Sequence, residues 1–129
     1  MTLRAPLRPW FAAALVLAAV MLAAGAGART SSGPLPEVAL ADLPPEAREV
    51  ITLVHQGGPF PYDRDGVVFG NRERILPAEP RGYYHEYTVP TPGVKSRGAR
   101  RIICGGKPKA PAACWYTSDH YRSFRRIRE

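Results

Sequence analysis

The distribution of apolar and polar residues divides the chain into parts of different character. Residues 10–24 are almost all apolar and carry no charge; Arg4 and Arg8 precede them, and small residues follow as far as Ala28. A basic start, an apolar middle and a small-residue end are typical of a secretory signal peptide, so residues 1–28 are predicted to be a leader that is removed on export. The apolar run is also nearly long enough to cross a bilayer, so an uncleaved anchor is the alternative interpretation.

One helix is predicted after this leader. Residues 29–41 are rich in Ser, Pro, Gly and Ala and are interpreted as a linker or a loosely docked N-terminal segment. Apolar residues then recur at the spacing of one helical face, at Ala47, Val50, Ile51 and Val54. We expect Asp42 to cap the N-terminus of this helix, with two prolines in its first turn, and Gly57 and Gly58 to end it.

Beyond the helix, the pattern changes to short strand-like runs that alternate with turns. These runs occupy residues 67–69, 83–89, 100–104, 115–117 and 123–127. One helix followed by several short strands predicts an α+β fold in which an N-terminal helix packs on a small antiparallel β-sheet. The length suits one modest core, so residues 42–129 are predicted to form a single domain.

The chain that remains after removal of the leader is basic. The leader contains two of the 18 basic residues and none of the 11 acidic ones, which leaves a net charge of +5. Most of the remaining basic residues are arginine, the residue best suited to bidentate contacts with phosphate. A basic exported domain indicates a polyanionic partner such as RNA, DNA, a wall polymer or an acidic protein. A cationic surface that serves only solubility is the alternative.

The chain has two cysteines, Cys104 and Cys114. In an exported protein such a pair is expected to form a disulfide bond. Two cysteines are too few for a structural zinc site, and His120 is poorly spaced to complete one. We therefore predict neither a metal site nor a cofactor.

Three groups of residues have side chains suited to cleaving RNA. Side chains alternate along a strand, so Glu86 is expected on the face opposite His85 and on the same face as Thr88. Basic residues cluster at 95–101, and an Asp-His-Tyr sequence occupies 119–121. A carboxylate, an imidazole and several guanidiniums can carry out transesterification, because two of them transfer protons and the arginines stabilise the phosphorane. Each residue alone is better explained as part of an ordinary solvated surface.

Six longer motifs extend this interpretation to nearly the whole mature chain. They lie at 43–47, 58–62, 65–73, 82–89, 97–103 and 116–121, and the third reads Asp-Gly-Val-Val-Phe-Gly-Asn-Arg-Glu. Through them the chain from Val38 to Ile127 resembles the microbial guanyl-specific ribonucleases, close to the streptomycete branch and related to barnase. The resemblance implies a secreted enzyme that cleaves single-stranded RNA on the 3′ side of guanosine, first to a 2′,3′-cyclic phosphate and then to the 3′-phosphate, without a metal ion. A secreted polyanion-binding protein without catalytic activity is the alternative.

The resemblance also implies roles for individual residues. The catalytic set is Glu86 as general base, His120 as general acid, and Arg97, Arg101 and Arg72 around the scissile phosphate. The substrate-binding set is Glu73 on the guanine edge, Phe69 stacked on the base, Tyr121 on the phosphate, and Asn71, whose backbone amide binds the guanine carbonyl oxygen together with that of Arg72. No role is transferred to His55 or His85, which are interpreted as surface or structural histidines.

Some positions depart from the family's pattern. Gly70 stands where close relatives have a glutamine, so a side-chain lid over the base is absent. Ala39 stands where streptomycete enzymes have the first cysteine of a terminal disulfide, and a Cys104–Cys114 bond would replace that bridge. The segment between Cys104 and His120 is longer than in the family, and Cys114 is expected inside the lengthened loop.

The resemblance further implies the partners of the mature protein. Single-stranded RNA is the expected substrate, and the mature protein is expected to be a monomer with no stable membrane association. A barstar-like cytoplasmic inhibitor is the protein partner that the resemblance suggests, since it would protect the producing cell.

Overall fold

The computed structural model describes residues 2–3 and 33–129. The predicted leader, apart from residues 2–3, and the first part of the predicted linker lie outside the described residues. In the described part of the chain, no helix is long and apolar enough to cross a membrane. The helices and strands of this described part all fall within residues 33–129.

The predicted helix is present as α1, Pro45–Gln56. Its buried residues are the apolar positions that carry the helical spacing, Ala47, Val50, Ile51 and Val54. Asp42 does not cap it, which corrects the sequence prediction: Asp42 ends a separate 3-10 helix, Leu40–Asp42, and Pro44 is the N-cap. Proline can begin a helix without a side-chain cap because its fixed φ already suits the first turn. Gly57 ends α1 with a φ of 79°, a left-handed conformation that glycine adopts without strain.

Five strands form a single sheet. They are β1 Glu37–Ala39, β2 Tyr84–Thr88, β3 Arg101–Gly106, β4 Pro111–Thr117 and β5 Arg125–Arg128. Their order is β1-β5-β4-β3-β2, and all neighbours are antiparallel except β1 and β5, which are parallel. The α+β class is confirmed, and the sheet is mixed where the sequence analysis expects an antiparallel one.

Two parts of the sheet differ from the sequence analysis. Strand β1 lies within the segment that the sequence analysis interprets as a linker. It was missed because three residues are too few to show an alternating pattern and because its partner β5 is remote in sequence. The predicted strand at 67–69 is reduced to a single bridge between Val68 and His85. The Phe69 amide still donates to the Tyr84 carbonyl at 2.9 Å. This segment therefore runs beside β2 for only a few residues before it turns away.

Apolar side chains cover both faces of the sheet. The face toward α1 carries the larger cluster, which includes Tyr87, Ile102, Tyr116 and Ile127. The opposite face carries Leu76, Tyr84, Ile103, Trp115 and Phe124. Glu86 and Thr88 alternate with Tyr87 along β2 and share the face of Tyr84, as the sequence predicts. The candidate catalytic carboxylate thus lies on the face away from α1.

Cys104 and Cys114 form a disulfide bond. They lie directly opposite each other in β3 and β4 and pack in the cluster beneath α1. Cys114 is therefore part of strand β4 and not of a lengthened loop, which corrects the sequence prediction. Residues on both sides of the disulfide bond pair between β3 and β4. The connection between the two strands is therefore short, and consists of residues 107–110.

Candidate active site

Glu86 is the carboxylate around which the site is arranged. It lies in the middle of β2 and is only 6% exposed. The Tyr121 hydroxyl donates a hydrogen bond of 2.5 Å to its Oε2. Its Oε1 faces two guanidiniums, with Arg64 Nε at 3.6 Å and Arg97 Nη2 at 3.8 Å. The hydrogen bond to Oε2 therefore fixes the orientation of the carboxylate, and Oε1 lies beside two positively charged side chains.

Arg97 and Arg101 are held in place by separate sets of acceptors. Arg97 donates through Nε and Nη2 to the Thr88 hydroxyl, at 3.0 Å and 2.7 Å. Arg101 is opposite Thr88 in the β2–β3 pairing and is 3% exposed. Its Nη1 donates to the carbonyls of Gly98 and Arg100, at 2.9 Å and 2.8 Å. One positive charge is thus fixed beside Glu86 and a second is fixed opposite Thr88, two residues along β2, an arrangement that can stabilise a developing phosphate charge.

His120 lies exposed in the loop between β4 and β5. His120 and Tyr121 have φ values of 55° and 73°, a left-handed conformation that is costly for residues with a Cβ. The His120 amide donates to the Ala99 carbonyl at 3.0 Å, and its ring lies 4.7 Å from the Tyr121 ring. The imidazole is therefore placed next to the hydroxyl-bearing ring that contacts Glu86.

Asp119 holds this loop in its strained form. Its Oδ1 accepts from the Thr117 hydroxyl at 2.8 Å and from the backbone amide of Ser123 at 3.0 Å, and its Oδ2 accepts from the Ser123 hydroxyl at 2.6 Å. These bonds, that of the Ser123 hydroxyl above all, lower the pKa of Asp119 from 3.8 to about 2. The Thr117 hydroxyl in turn accepts from the Tyr121 amide at 3.2 Å. The carboxylate and its partners thus offset the cost of the two left-handed residues.

Tyr121 connects the catalytic residues with the predicted base-binding segment. Burial, followed by its hydrogen bond to Glu86, raises the pKa of Tyr121 to about 12, and the charge of Arg101 acts in the opposite direction. The hydroxyl is therefore protonated at neutral pH and remains a donor to Glu86. Its ring stacks on Phe69, with ring centroids 5.1 Å apart.

The predicted base-binding segment forms a loop that is closed by its own asparagine. Asn71 adopts a φ of 49°, its Nδ2 donates to the Leu76 carbonyl at 3.0 Å, and its Oδ1 accepts from the Leu76 amide at 3.1 Å. The Asn71 side chain is therefore occupied with the loop, so the predicted role of Asn71 in binding the base falls to its backbone amide. Both Arg72 and Glu73 are exposed.

One cavity of about 290 Å³ joins this loop to the catalytic carboxylate. Six of the residues given roles from the sequence line it, namely Phe69, Asn71, Arg72, Glu73, Glu86 and Tyr121. Arg97 and His120 do not line it: Arg97 lies 3.8 Å from the Glu86 carboxylate, and the His120 ring lies against the Tyr121 ring. Arg101 is buried at the neighbouring position of β3. The residues predicted to bind the base therefore share one open space with the predicted general base, Glu86.

The two other histidines lie elsewhere. His85 lies on the α1 side of the sheet, near Val54 and Tyr87. His55 Nε2 pairs with Glu129 Oε1 at 2.8 Å, and this hydrogen bond raises the pKa of His55. Among the described residues, no group of three or more His, Cys, Asp and Glu side chains is placed to hold a metal ion.

Comparison with known proteins supports the same interpretation of the site as its geometry does. A family described as ribonuclease matches residues 26–128. The chain is 55% identical over 87 residues to guanyl-specific ribonuclease Sa of Kitasatospora aureofaciens, a match that covers 67% of this chain and 88% of that protein. The chain belongs to the guanyl-specific microbial ribonuclease family.

Other members of this family are similar in sequence and in structure. Guanyl-specific ribonuclease Sa3 of Kitasatospora aureofaciens is 58% identical over 85 residues, which are 66% of this chain but only 58% of that protein's length. A crystal structure of ribonuclease Sa2 with guanosine-2′-cyclophosphate superposes with a TM-score of 0.67 at 44% identity, covering 74% of this chain and 97% of that one.

Several residues that organise this family's fold around the site were not singled out from the sequence. Arg64 reaches Glu86 from a turn, and Asp65 fixes that turn, because its Oδ1 accepts from the Thr88 amide at 2.7 Å and its Oδ2 from the Tyr62 amide at 3.1 Å. The sequence signals for them are the turn composition at 63–66 and, for Asp65, its place at the start of the motif at 65–73. Thr117, which supports the His120 loop, has no signal beyond its place in a motif.

Proposed function

We propose that this protein is an endoribonuclease that cuts single-stranded RNA on the 3′ side of guanosine. The observation that carries the proposal is the single cavity that holds Glu73 and Glu86 together. One carboxylate is positioned to read a base and the other to take a proton from the ribose attached to it. The coarser conclusion, a family member that binds RNA or nucleotides, rests on the family match and on the nucleotide complex of Sa2.

Recognition of guanine follows from the donors on its edge. Guanine presents N1–H and N2–H₂ side by side, and an exposed carboxylate such as Glu73 can accept from both in a charge-assisted pair. Backbone amides near Asn71 supply donors to O6, and Phe69 supplies a stacking surface worth about 1–3 kcal/mol. Adenine would leave Glu73 without these donors. A site is selective when the wrong base covers polar groups and leaves them without hydrogen-bond partners. The base has to be unpaired to expose this edge, so the substrate is single-stranded.

In the proposed reaction Glu86 and His120 each transfer one proton. Glu86 accepts the proton of the 2′-hydroxyl, the 2′-oxygen forms a bond to phosphorus, and the bond to the 5′-oxygen of the next nucleotide breaks as His120 protonates it. Arg97, Arg101 and Arg72 stabilise the charge that develops on the phosphate. In the second step the roles reverse, and water opens the 2′,3′-cyclic phosphate to the 3′-phosphate. The mechanism assigns no step to a metal ion, because the guanidiniums carry the positive charge.

Cleavage of a dinucleotide is the direct test. Wild-type protein incubated with GpU should release guanosine 2′,3′-cyclic phosphate and then 3′-GMP. Glu86→Gln and His120→Ala should each lower turnover by about 10²–10⁴-fold while the fold is retained. Arg128→Ala, in β5 and three strands away from Glu86 in β2, is the matched control and should be unaffected. Binding of RNA without any cyclic product would identify the protein as a polyanion-binding protein instead.

Glu73 separates recognition from catalysis. Glu73→Ala should reduce cleavage at guanosine much more than cleavage at adenosine, by an amount equivalent to about 1–3 kcal/mol for a bidentate base contact. Inosine lacks the N2 amino group, so the preference of wild type for guanosine over inosine should largely disappear in this variant. Glu79→Ala is the control, because Glu79 is also an exposed carboxylate but does not line the cavity. Equal losses on all three bases would mean that Glu73 has only a structural role.

Export and partners complete the proposal. The leader-like pattern of residues 1–28 and the disulfide bond support secretion, and a monomer is the expected state of the exported chain. Mass spectrometry of culture supernatant should find a mature chain that begins at Gly27 or Arg29, and an intact Met1 in the membrane fraction would contradict secretion. A barstar-like inhibitor remains the protein partner to look for in the producing cell.

A further inference from the structure

Arg64 is a second guanidinium on the carboxylate of Glu86. It lies in the turn 62–66, where the Asp65 amide donates to the Tyr62 carbonyl at 2.9 Å and the Gly66 amide donates to the Glu86 carbonyl at 2.7 Å. The turn is therefore bonded directly to β2, while the Arg64 side chain is 64% exposed. Within residues 33–129, its guanidinium makes no hydrogen bond, and its one ionic contact is with Glu86 Oε1 at 3.6 Å.

Arg97 approaches the same oxygen but is restrained. Its side chain is 28% exposed, and two of its nitrogens are bonded to the Thr88 hydroxyl. Arg97 cannot leave Glu86 without breaking both of these bonds, whereas Arg64 gives up only a solvent-screened ion pair. The two arginines beside Oε1 therefore differ in mobility: one is fixed and one can turn away.

The two oxygens of Glu86 also differ. Oε2 is occupied by the hydrogen bond from Tyr121. Oε1 accepts no hydrogen bond from the described residues, and it is not among their fully buried polar atoms without a partner, which consist of Arg101 Nε alone. Oε1 thus retains some exposure, and it is the oxygen of Glu86 that is left to accept the proton of the ribose hydroxyl.

From this arrangement we propose that Arg64 is a further substrate-contacting residue, which moves from Glu86 Oε1 to a non-bridging oxygen of the scissile phosphate when RNA binds. The inference rests on the proposed function, because it requires a phosphate next to Glu86. The move exchanges an exposed ion pair for a charge-assisted contact with phosphate, to which the guanidinium geometry is suited. It also clears Oε1 for the ribose hydroxyl. No covalent bond is made or broken in this step.

Binding of two ligands that differ only by a phosphate tests the proposal. Calorimetric titration with 3′-GMP and with guanosine is compared for wild type, Arg64→Ala and Arg64→Lys. Arg64→Ala should weaken binding of 3′-GMP by about tenfold, the loss expected for one charged hydrogen bond, and leave guanosine binding unchanged. Arg64→Lys should recover part of the loss. With GpU as substrate, kcat/KM of Arg64→Ala should fall by a similar factor.

Arg128→Ala is the matched control. The Arg128 side chain is 65% exposed, and it makes one ion pair, to Glu37 at 3.5 Å, so it matches Arg64 in exposure and in having a single ionic partner but lies away from the site. It should bind both ligands as wild type does. Equal weakening of 3′-GMP and guanosine by Arg64→Ala, or no weakening of either, overturns the role of Arg64 even if GpU is cleaved normally. Failure of the wild type itself to cleave GpU overturns the proposed function instead.

Discussion

Replacing Asp119 with Asn should destabilise the protein at neutral pH and make progressively less difference as the pH falls. The carboxylate accepts hydrogen bonds from the hydroxyl and amide of Ser123 and from the Thr117 hydroxyl. Asparagine keeps the shape and one acceptor oxygen but loses the charge. The substitution therefore isolates the contribution of the ionised carboxylate to the His120 loop.

The magnitude follows from the pKa of Asp119. A carboxyl with a pKa of about 2 in the folded protein and 3.8 in the unfolded chain contributes at most about 2.5 kcal/mol at neutral pH. Asp119 keeps partial contact with water, which screens the interaction, so we expect about 1–2 kcal/mol. Because the folded pKa is the lower one, this stability is present above the unfolded pKa. It is lost as the pH falls through the folded pKa, mainly between about pH 4 and pH 2.

Urea unfolding measured from about pH 7 down to about pH 2 is the assay, since the linear dependence on urea gives the free energy of unfolding at each pH. Asp63→Asn, at an exposed aspartate of the turn before β2, is the control and should shift stability little. Turnover of GpU by Asp119→Asn should also fall, by about tenfold or more, because a displaced imidazole transfers protons poorly. A difference in stability that stays constant over the whole pH range would refute the assignment to the ionised carboxylate.

Three further outcomes are expected. Reducing the Cys104–Cys114 bond, or replacing both cysteines with serine, should lower the free energy of unfolding by about 2–3 kcal/mol, the loop-entropy value for so short a loop, as measured by urea unfolding with and without reductant; an unchanged midpoint would contradict this. His55 has a raised pKa through Glu129, so its stabilisation is fully present below its unfolded pKa and lost as the pH rises through the folded one; His55→Gln should lower Tm slightly at about pH 5.5 and not at about pH 8.5, and the reverse order would be inconsistent with the ion pair. Leu76→Ala removes a fully buried side chain and should cost about 2–5 kcal/mol in thermal or urea unfolding, whereas a cost near zero would mean that the loop repacks.

The parts of the fold that could be predicted are those with a local signal. Helix α1 follows from four apolar residues at helical spacing, and its end follows from Gly57. Its beginning was misplaced, because Asp42 has the chemistry of a cap but belongs to a separate 3-10 helix. Strand β1 has no periodicity of its own and exists only because β5 pairs with it. Tertiary pairing of this kind cannot be inferred from three residues.

The candidate site shows a similar division. Extended motifs identified the residues that line the cavity, and alternation placed Glu86 and Thr88 on one face. Neither could show that Arg64 reaches Glu86, because that contact depends on the bond between a turn and β2. The location of Cys114 was wrong for a related reason: loop length was judged from sequence, but the register of β3 and β4 places both cysteines in strands.

The parallel pairing of β1 with β5 bears on when this protein becomes active during its own synthesis. Glu37 pairs with Arg126, and contacts between residues so far apart in sequence close a long loop and form slowly. The His120 loop immediately precedes β5 and is held between β4 and β5. A growing chain therefore contains Glu86 well before it contains the imidazole, and it cannot complete the sheet until the residues of β5 have been added. We expect incomplete chains to be inactive, so that the transcript being translated is not exposed to a nuclease assembled on its own ribosome.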